Sequence, residues 1–549
     1  MDKTEKLTEK LTEKLKEKLK DCKIQNYLEN HNYIYAANQA RNWIERNTLQ
    51  EKGIVITSKQ RVIYQEVTGY YIPTLLQWGL RDRAISYAKY LCEIQEENGA
   101  WLNASQTLQS VFNTGQVLRG LLAVVDICPE AYEHLIKGCD WLISNVSEEG
   151  RLVPTEGTTW AAGTNSEAIH LYCLPPLLET GKKYGKKNYI EIVERVADYY
   201  LKEYAYDINN FMYLSHFYAY IMEALLDIGR TDVVEEAMKK IAKIQRLDGA
   251  IPAYRNCHWV CSTGLFQLAI VWFKLGDRKR GNKAFDYAVK LQNKSGGWYG
   301  GYQAYIYLDK GKKIIYYLTE KITYFENEEI SWTVKYFFDA LYYRQKCEFK
   351  QKAHTFIKHI ESEDPKYQVV VNELCKIEQT KNIPLKVADL GCGKGRYLKK
   401  LVLSHPDNWY YGIDISAEVL KYINSTKIKI QIGSILNTGC ENDRFDLVYA
   451  AESIEHSIFV DLAIKEMYRI TKAGGSIVII DKDAEAFQNM KYKKWFQPEE
   501  LSTKQWLDTN KIVDAFKNCG IDDMEIMNIP SAEGKMYKAY IGRKNNGYN

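Results

Sequence analysis

Val387-Ala388-Asp389-Leu390-Gly391-Cys392-Gly393-Lys394-Gly395 decides the fold of the C-terminal part of this 549-residue chain. A short apolar strand ends at Asp389. Three glycines at alternate positions then lead into a helix that begins near Arg396. Glycine lets the backbone turn sharply and come close to a ligand without a Cβ clash. A strand, glycine loop and helix in this order place the ligand across the carboxyl ends of parallel strands. The spacing is not G-x-G-x-x-G, the dinucleotide pattern, and Lys394 is followed by Gly395, which fails the G-K-[ST] ending of a nucleotide-phosphate loop.

Reading outward, short apolar strands alternate with helices: KVADLGC, WYYGIDI, KIKIQIG, FDLVYAA and GGSIVIID. This is a doubly wound α/β pattern. Asp414 closes the second strand, 25 residues after Asp389. Phe445-Asp446-Leu447-Val448-Tyr449 reads as a fourth strand, followed by Ala451-Glu452-Ser453-Ile454-Glu455-His456. Glu466 to Gly475 has the form E-x-x-R-x-x-K-x-G-G. Five motifs in this order over about 90 residues resemble the class I S-adenosylmethionine-dependent methyltransferases. The resemblance implies a Rossmann-like domain over 365–549, with S-adenosyl-L-methionine as cofactor. It also implies that Asp389, Gly391, Cys392, Gly393 and Gly395 cradle the cofactor and that Asp414, with Ile415 beside it, receives the ribose hydroxyls. Ser434 and Ile435 fall at the adenine, and Ala451 and Glu452 under the methionine moiety. Ser434 stands where the family often has an acid, a weaker adenine contact. An acceptor hydroxyl needs a base, and His456 is the candidate because imidazole titrates near neutrality; a packing or capping histidine is the alternative. Trp495, Phe496 and Trp506 fall where comparable enzymes build part of the acceptor pocket.

From about residue 24 to 345 the apolar positions recur at i, i+3 and i+4, as in RAISYAKYLCEIQ and FYAYIMEALLDIG, which predicts helices. Glycines at 99, 150, 249 and 297 are spaced by 51, 99 and 48, a period near 50 with one degenerate copy. Gln95 and Trp101 frame the first of these turns, and Gln292 and Trp298 the last. A helix pair cannot bury its apolar face alone, so such repeats stack, and about six pairs would close a ring. This part resembles the (α/α)-toroids of the terpenoid cyclase, prenyltransferase and glycan-processing families. The ring cavity is then expected to be lined by Trp101, Asn113, Trp160, His216, Tyr254, His258, Trp298, Glu328, Glu329 and Trp332. Aromatic faces among Asn, His and carboxylates suit a sugar, and paired carboxylates are what glycoside chemistry needs. A solvated helix start with favourable negative charge explains the glutamates equally well.

The chain is thus expected to be multidomain: a charged helix over 1–23 built on a T-E-K-L repeat, an all-α toroid over 24–345, a linker over 346–364, and the methyltransferase domain. Lys and Arg number 74 against 70 Asp and Glu. That near-balance is no footprint for nucleic acid or an anionic membrane, and no apolar run suggests a signal peptide or membrane span. Twelve cysteines without a C-x-x-C pair favour free thiols in a reducing cytoplasm and no resident metal. The expected activity is methyl transfer to a small-molecule or glycan acceptor that the toroid binds or processes. A toroid with its own epimerase, lyase or hydrolase activity, or one serving only as a scaffold, stays open.

Overall fold

The computed structural model describes residues 33–157, 165–303, 320–381, 383–483, 505, 507–529 and 537–545. The N-terminal repeat, Trp160, Trp495, Phe496 and Trp506 lie outside them. The chain divides into two compact units. One is Asn38–Glu348; the other is Phe349–Asn549, with which residues 33–37 are grouped.

In the first unit, helices come in two kinds. Half-buried ones are α1 (Tyr33–Asn47), α3 (Arg81–Glu93), α5 (Ala131–Ser144), α7 (Lys187–Glu203), α9 (Thr231–Ile244) and α11 (Arg278–Val289). In α9 only Val234, Ala237, Met238 and Ile241 are buried, one stripe at i, i+3, i+4 and i+7. The others are buried nearly all round: α2 (Gln65–Gln77), α4 (Val111–Val124), α6 (Leu174–Tyr184, preceded by a 3₁₀ turn over Glu167–Cys173), α8 (Ser215–Asp227), α10 (Ser262–Leu275) and α12 (Ser331–Lys352).

The repeat has a mechanical meaning. Gly99, Gly150, Gly249 and Gly296 all have φ between +92° and +102°. A Cβ at each would stand 2.1–2.6 Å from a backbone carbonyl oxygen, of Lys137, Arg195, Lys283 and Gln39 respectively. Each glycine therefore seats its turn on a neighbouring half-buried helix, where no other residue fits. The fourth copy is Gly296, not Gly297: Gln95, Gln245 and Gln292 each donate from Nε2 to the carbonyl four residues on, at Gly99, Gly249 and Gly296. Gly296 meets α1, the first helix of the unit. The last buried helix likewise meets the first: Tyr71 Oη donates to Ser331 O at 2.7 Å, and Thr74 Oγ1 to Asp339 Oδ1 at 2.6 Å.

The second unit is built on one seven-stranded sheet. Its strands are β1 (Lys386–Leu390), β2 (Trp409–Asp414), β3 (Ile428–Ile432), β4 (Phe445–Ala451), β5 (Thr471–Lys482), β6 (Met524–Ile529) and β7 (Tyr537–Arg543), in the order β3-β2-β1-β4-β5-β7-β6. β1 to β5 pair in parallel, and β7 and β6 run antiparallel. β4 is buried along its whole length, as a parallel strand covered on both faces should be. The helices include α13 (Pro365–Glu378), α14 (Arg396–Ser404), α15 (Ala417–Leu420), α16 (Val460–Ile470) and α17 (Thr509–Asn518). Chain direction switches sides between β1 and β4, which puts a crevice at their carboxyl ends.

Candidate active site

The glycine loop fills that crevice. Gly391, Gly393 and Gly395 have φ of +71°, +52° and +71°, the left-handed region that side chains with a Cβ avoid. Their surroundings differ. A Cβ on Gly391 would lie 2.5 Å from Ser453 Cβ, and one on Gly395 2.9 Å from Ile423 Cδ1, whereas one on Gly393 would meet no atom within 4 Å. Gly391 and Gly395 are glycine because protein packs against them; Gly393 presents bare backbone to open space.

Asp414, at the end of β2, fixes that backbone. One carboxylate oxygen accepts the Gly393 N–H and the other the Ser416 N–H, each at 2.9 Å. A carboxylate oxygen has two lone pairs, so each retains one for an incoming hydroxyl. Burial raises the Asp414 pKa, and the two N–H donors oppose the rise. Ile415 is half-buried beside it. Asp389 sits below the loop, 3% exposed, opposite Tyr449 of β4. Burial lifts its pKa to about 7. Cys392 is buried with its sulfur against Gly412, so it offers a ligand only its backbone. Lys394 turns away and donates to the carbonyls of His354 and Phe356. Ser434 begins a tight turn that closes on Asn437, and Ile435 Cγ2 comes within 3.8 Å of the Gly391 Cβ position. The structure therefore brings Asp414, the loop, Ile435 and Ser453 to one place.

Glu452 differs from expectation. It follows the buried Ala451 with φ +56°, and its carboxylate is committed to protein partners. Arg396 Nη2 donates to Oε1 at 2.6 Å, Lys366 Nζ lies 3.1 Å away, and Tyr537 Oη donates to Oε2 at 3.1 Å. Burial opposes its ionisation, yet Arg396, Lys366 and Lys482 outweigh that and hold the pKa down at about 2. A carboxylate so satisfied ties α14, α13 and β7 to the end of β4. Arg396 was legible as the residue after the last loop glycine; Lys366 and Tyr537 carried no sequence signal. His456 ends a 3₁₀ turn over Ile454–His456. Its Nε2 lies 3.7 Å from Glu455 Oε1, and its ring meets Phe349 edge-on at 5.3 Å. Glu455 in turn binds Lys482 Nζ through both oxygens at 2.8 and 2.9 Å. His456, just beyond the carboxyl end of β4, thus stands beside the Glu455–Lys482 ion pair.

In the helical unit the expected cavity residues separate. Trp101 and Trp298 are 0% exposed and donate from Nε1 to Leu91 O and Ala288 O, ten residues back. Both are packing residues that cap a helix end, not cavity walls. Glu329 accepts from Trp43 Nε1 at 2.8 Å, Asn293 Nδ2 at 2.9 Å and Ser295 Oγ, and Glu328 accepts from Thr57 Oγ1 at 2.7 Å. Glu329 is thus buried with both oxygens taken by protein donors, while the half-buried Glu328 is held through Oε2. His258 is exposed and faces Glu320, and Tyr254 packs on Trp259. Asn113 is buried and donates to Leu102 O. Among those of them that are described, only His216 and Trp332 meet across helices, their rings nearly parallel at 6.4 Å.

Residues 381–527 match the family described as methyltransferase domain. The chain is 23% identical over 144 residues to a malonyl-[acyl-carrier protein] O-methyltransferase of Legionella pneumophila, covering 25% of this chain and 49% of that protein. It is 25% identical over 138 residues to an uncharacterized protein of Methanocaldococcus jannaschii, covering 25% and 64%. The match thus spans about half to two thirds of these relatives. Among solved structures, Haemonchus contortus phosphoethanolamine N-methyltransferase 2 in complex with S-adenosyl-L-methionine aligns at 15% identity and TM-score 0.27, covering 32% of this chain and 52% of that one.

Proposed function

We propose, from the premise that the C-terminal unit is a class I S-adenosyl-L-methionine-dependent methyltransferase domain, that the protein methylates a small-molecule or glycan acceptor held by its helical unit. The observation that carries the cofactor reading is the pairing of Asp414 with the open backbone of Gly393. Asp414, Gly391, Gly393 and Ile435 would hold the cofactor, which supplies a methyl group on its own sulfonium leaving group. The residues' work is alignment, because an in-line transfer at about 3–3.5 Å draws most of its rate from positioning. Lone pairs on Asp414 would take ribose hydroxyls, and the bare Gly393 backbone would leave the ligand room beside the loop. His456 takes the proton from the acceptor hydroxyl at Nε2, with Glu455 beside it to stabilise the charge that develops.

The helical unit is read as an (α/α)-toroid. Among the described residues six half-buried and six buried helices alternate, with a short extra helix at Ala205–Asn209, and contact between the first and last buried helices supports closure. Among the described residues no helix is long and apolar enough to cross a membrane.

Calorimetry with S-adenosyl-L-methionine tests the cofactor assignment. Wild type binds and Asp414→Ala does not; no binding by the wild type, or equal binding by both, refutes it. His456→Ala keeps cofactor affinity and transfers methyl about 10²–10⁴-fold more slowly. Wild-type turnover would remove the base role.

A further inference from the structure

The helical unit buries a carboxyl group that its fold does not use. Glu66, in the first turn of α2, is 5% exposed, and Tyr64 Oη donates to its Oε2 at 2.5 Å. That hydroxyl is its one hydrogen-bond donor among the described residues. Beside it in the chain, Gln65 is 4% exposed, and its Oε1 has no partner among the described residues. An acid buried without a cation is costly, and burial, opposed by the Tyr64 hydroxyl, lifts the Glu66 pKa to about 7.

What surrounds Glu66 comes from other helices and from the loop before α12. Tyr220 of α8 and Tyr324 both lie within electrostatic reach of its carboxyl. The His216 ring is 4.5 Å from Tyr220, 6.0 Å from Tyr324 and 6.4 Å from Trp332. Trp332 Nε1 donates to Tyr324 Oη at 2.9 Å. His216 Nδ1 meets Gln267 Oε1 at 2.6 Å, and burial drives its pKa down to about 3, so the ring is neutral. Tyr64, Phe217 and Tyr324 are half-buried, so the cluster has an accessible side.

Its charge character is specific. The nearby cations are occupied by protein: Lys335 pairs with Asp339 at 2.7 Å and lies over the Tyr336 ring, and Arg119 donates to Tyr172 O while its guanidinium covers the Tyr172 ring. The cluster therefore offers aromatic faces, neutral hydrogen-bonding groups and two buried acids, Glu66 and Glu223, the second of which accepts from Gln267 Nε2 at 3.2 Å. That set has no counter-charge for an anion. It matches a molecule with C–H faces for rings and hydroxyls for polar groups.

We propose that this cluster is the binding site for an uncharged, polyhydroxylated ligand of the carbohydrate class. Glu66, oriented by Tyr64, hydrogen-bonds a ligand hydroxyl, and Trp332 and the half-buried Tyr324 receive the ring faces. The proposal rests on the reading that the helical unit binds the acceptor, and it names the class and the contacts.

The test is a glycan array probed with the full chain, with cofactor binding measured in parallel. Neutral oligosaccharides bind the wild type, and Glu66→Ala and Trp332→Ala each weaken binding at least tenfold while S-adenosyl-L-methionine affinity stays unchanged. An array without neutral hits, or hits that both variants retain, overturns the site while leaving the methyltransferase reading intact. A wild type that binds sugar but no cofactor overturns that reading and supports the site. Because alanine at a buried position can unfold the unit, Glu66→Gln supplies a second readout. Its melting temperature at pH 8.5 rises by several degrees if the carboxyl is kept for a ligand, and a fall means that Glu66 holds the fold.

Discussion

Gly391 and Gly393 share a conformation but not a neighbourhood, and alanine at each position separates the two jobs of the loop. With φ of +71° and +52°, either alanine pays roughly 1–2 kcal/mol for the left-handed region. At Gly393 nothing is added, because the new Cβ meets no atom within 4 Å. At Gly391 the Cβ lands 2.5 Å from Ser453 Cβ. Ser453 has little room to retreat, since its Oγ donates to Leu390 O at 2.7 Å under the same loop. Such overpacking adds about 1–3 kcal/mol. Gly391→Ala is then less stable than Gly393→Ala by that margin, a difference of roughly 2–12 °C in melting temperature for a unit of this size. For the cofactor the prediction concerns Gly393. Its methyl group stands where the ligand must lie, and Gly393→Ala weakens S-adenosyl-L-methionine binding at least tenfold, about 1.4 kcal/mol. Scanning calorimetry and titration calorimetry on the full chain measure the two effects. Wild-type affinity in Gly393→Ala, or equal destabilisation by the two alanines, would refute the assignment of the open side of the loop to the ligand.

Asp414→Asn replaces one carboxylate oxygen with a donor that faces an N–H of Gly393 or Ser416; cofactor Kd should rise about 10–100-fold, since losing a charge-assisted bond costs about 1.5–3 kcal/mol, and unchanged Kd would count against the site. Asp389 has a folded pKa of about 7 against an unfolded value near 3.8, so folding favours its protonated form. That contribution is full below about pH 4 and fades as pH rises through 7. The stability of Asp389→Asn relative to wild type should therefore climb between pH 4 and 7 and then level off, and parallel pH profiles would contradict it. Glu329→Ala strands three donors, Trp43 Nε1, Asn293 Nδ2 and Ser295 Oγ, and should cost roughly 2–5 kcal/mol with no change in reaction product; a stable variant with altered product would restore a catalytic role. Gly249→Ala, forced to φ +101° with its Cβ 2.1 Å from Lys283 O, should lower the helical unit's melting temperature more than Gly229→Ala, whose Cβ position is open at φ +88°.

Much of the C-terminal unit was legible because its signals are local. Strand, glycine loop and helix follow one another within twenty residues, and Asp414 lies next to the loop because β1 and β2 are adjacent in the sheet. The periodic glycines of the helical unit were legible too, since a positive φ is written into residue type. The shift from Gly297 to Gly296 shows where that ends: two adjacent glycines look alike until Gln292 and Gln39 choose between them. Trp101, Trp298, Glu328 and Glu329 looked like a cavity lining for the same reason. Aromatic and acidic residues near a turn carry no label for whether they face a ligand, a helix end or a loop.

By itself, then, the sequence determined the parts whose cause is covalent and nearby: the left-handed turns, the alternation of strand and helix, and the acid at the end of β2. Tertiary structure decided what each polar group is for. It spent Glu329 on Trp43, from 286 residues away, and Glu452 on Arg396, Lys366 and Tyr537. It buried Glu66 with one tyrosine hydroxyl as its donor among the described residues. A side chain's chemistry is fixed by its type, but whether that chemistry is still available depends on partners that only folding brings within 3 Å.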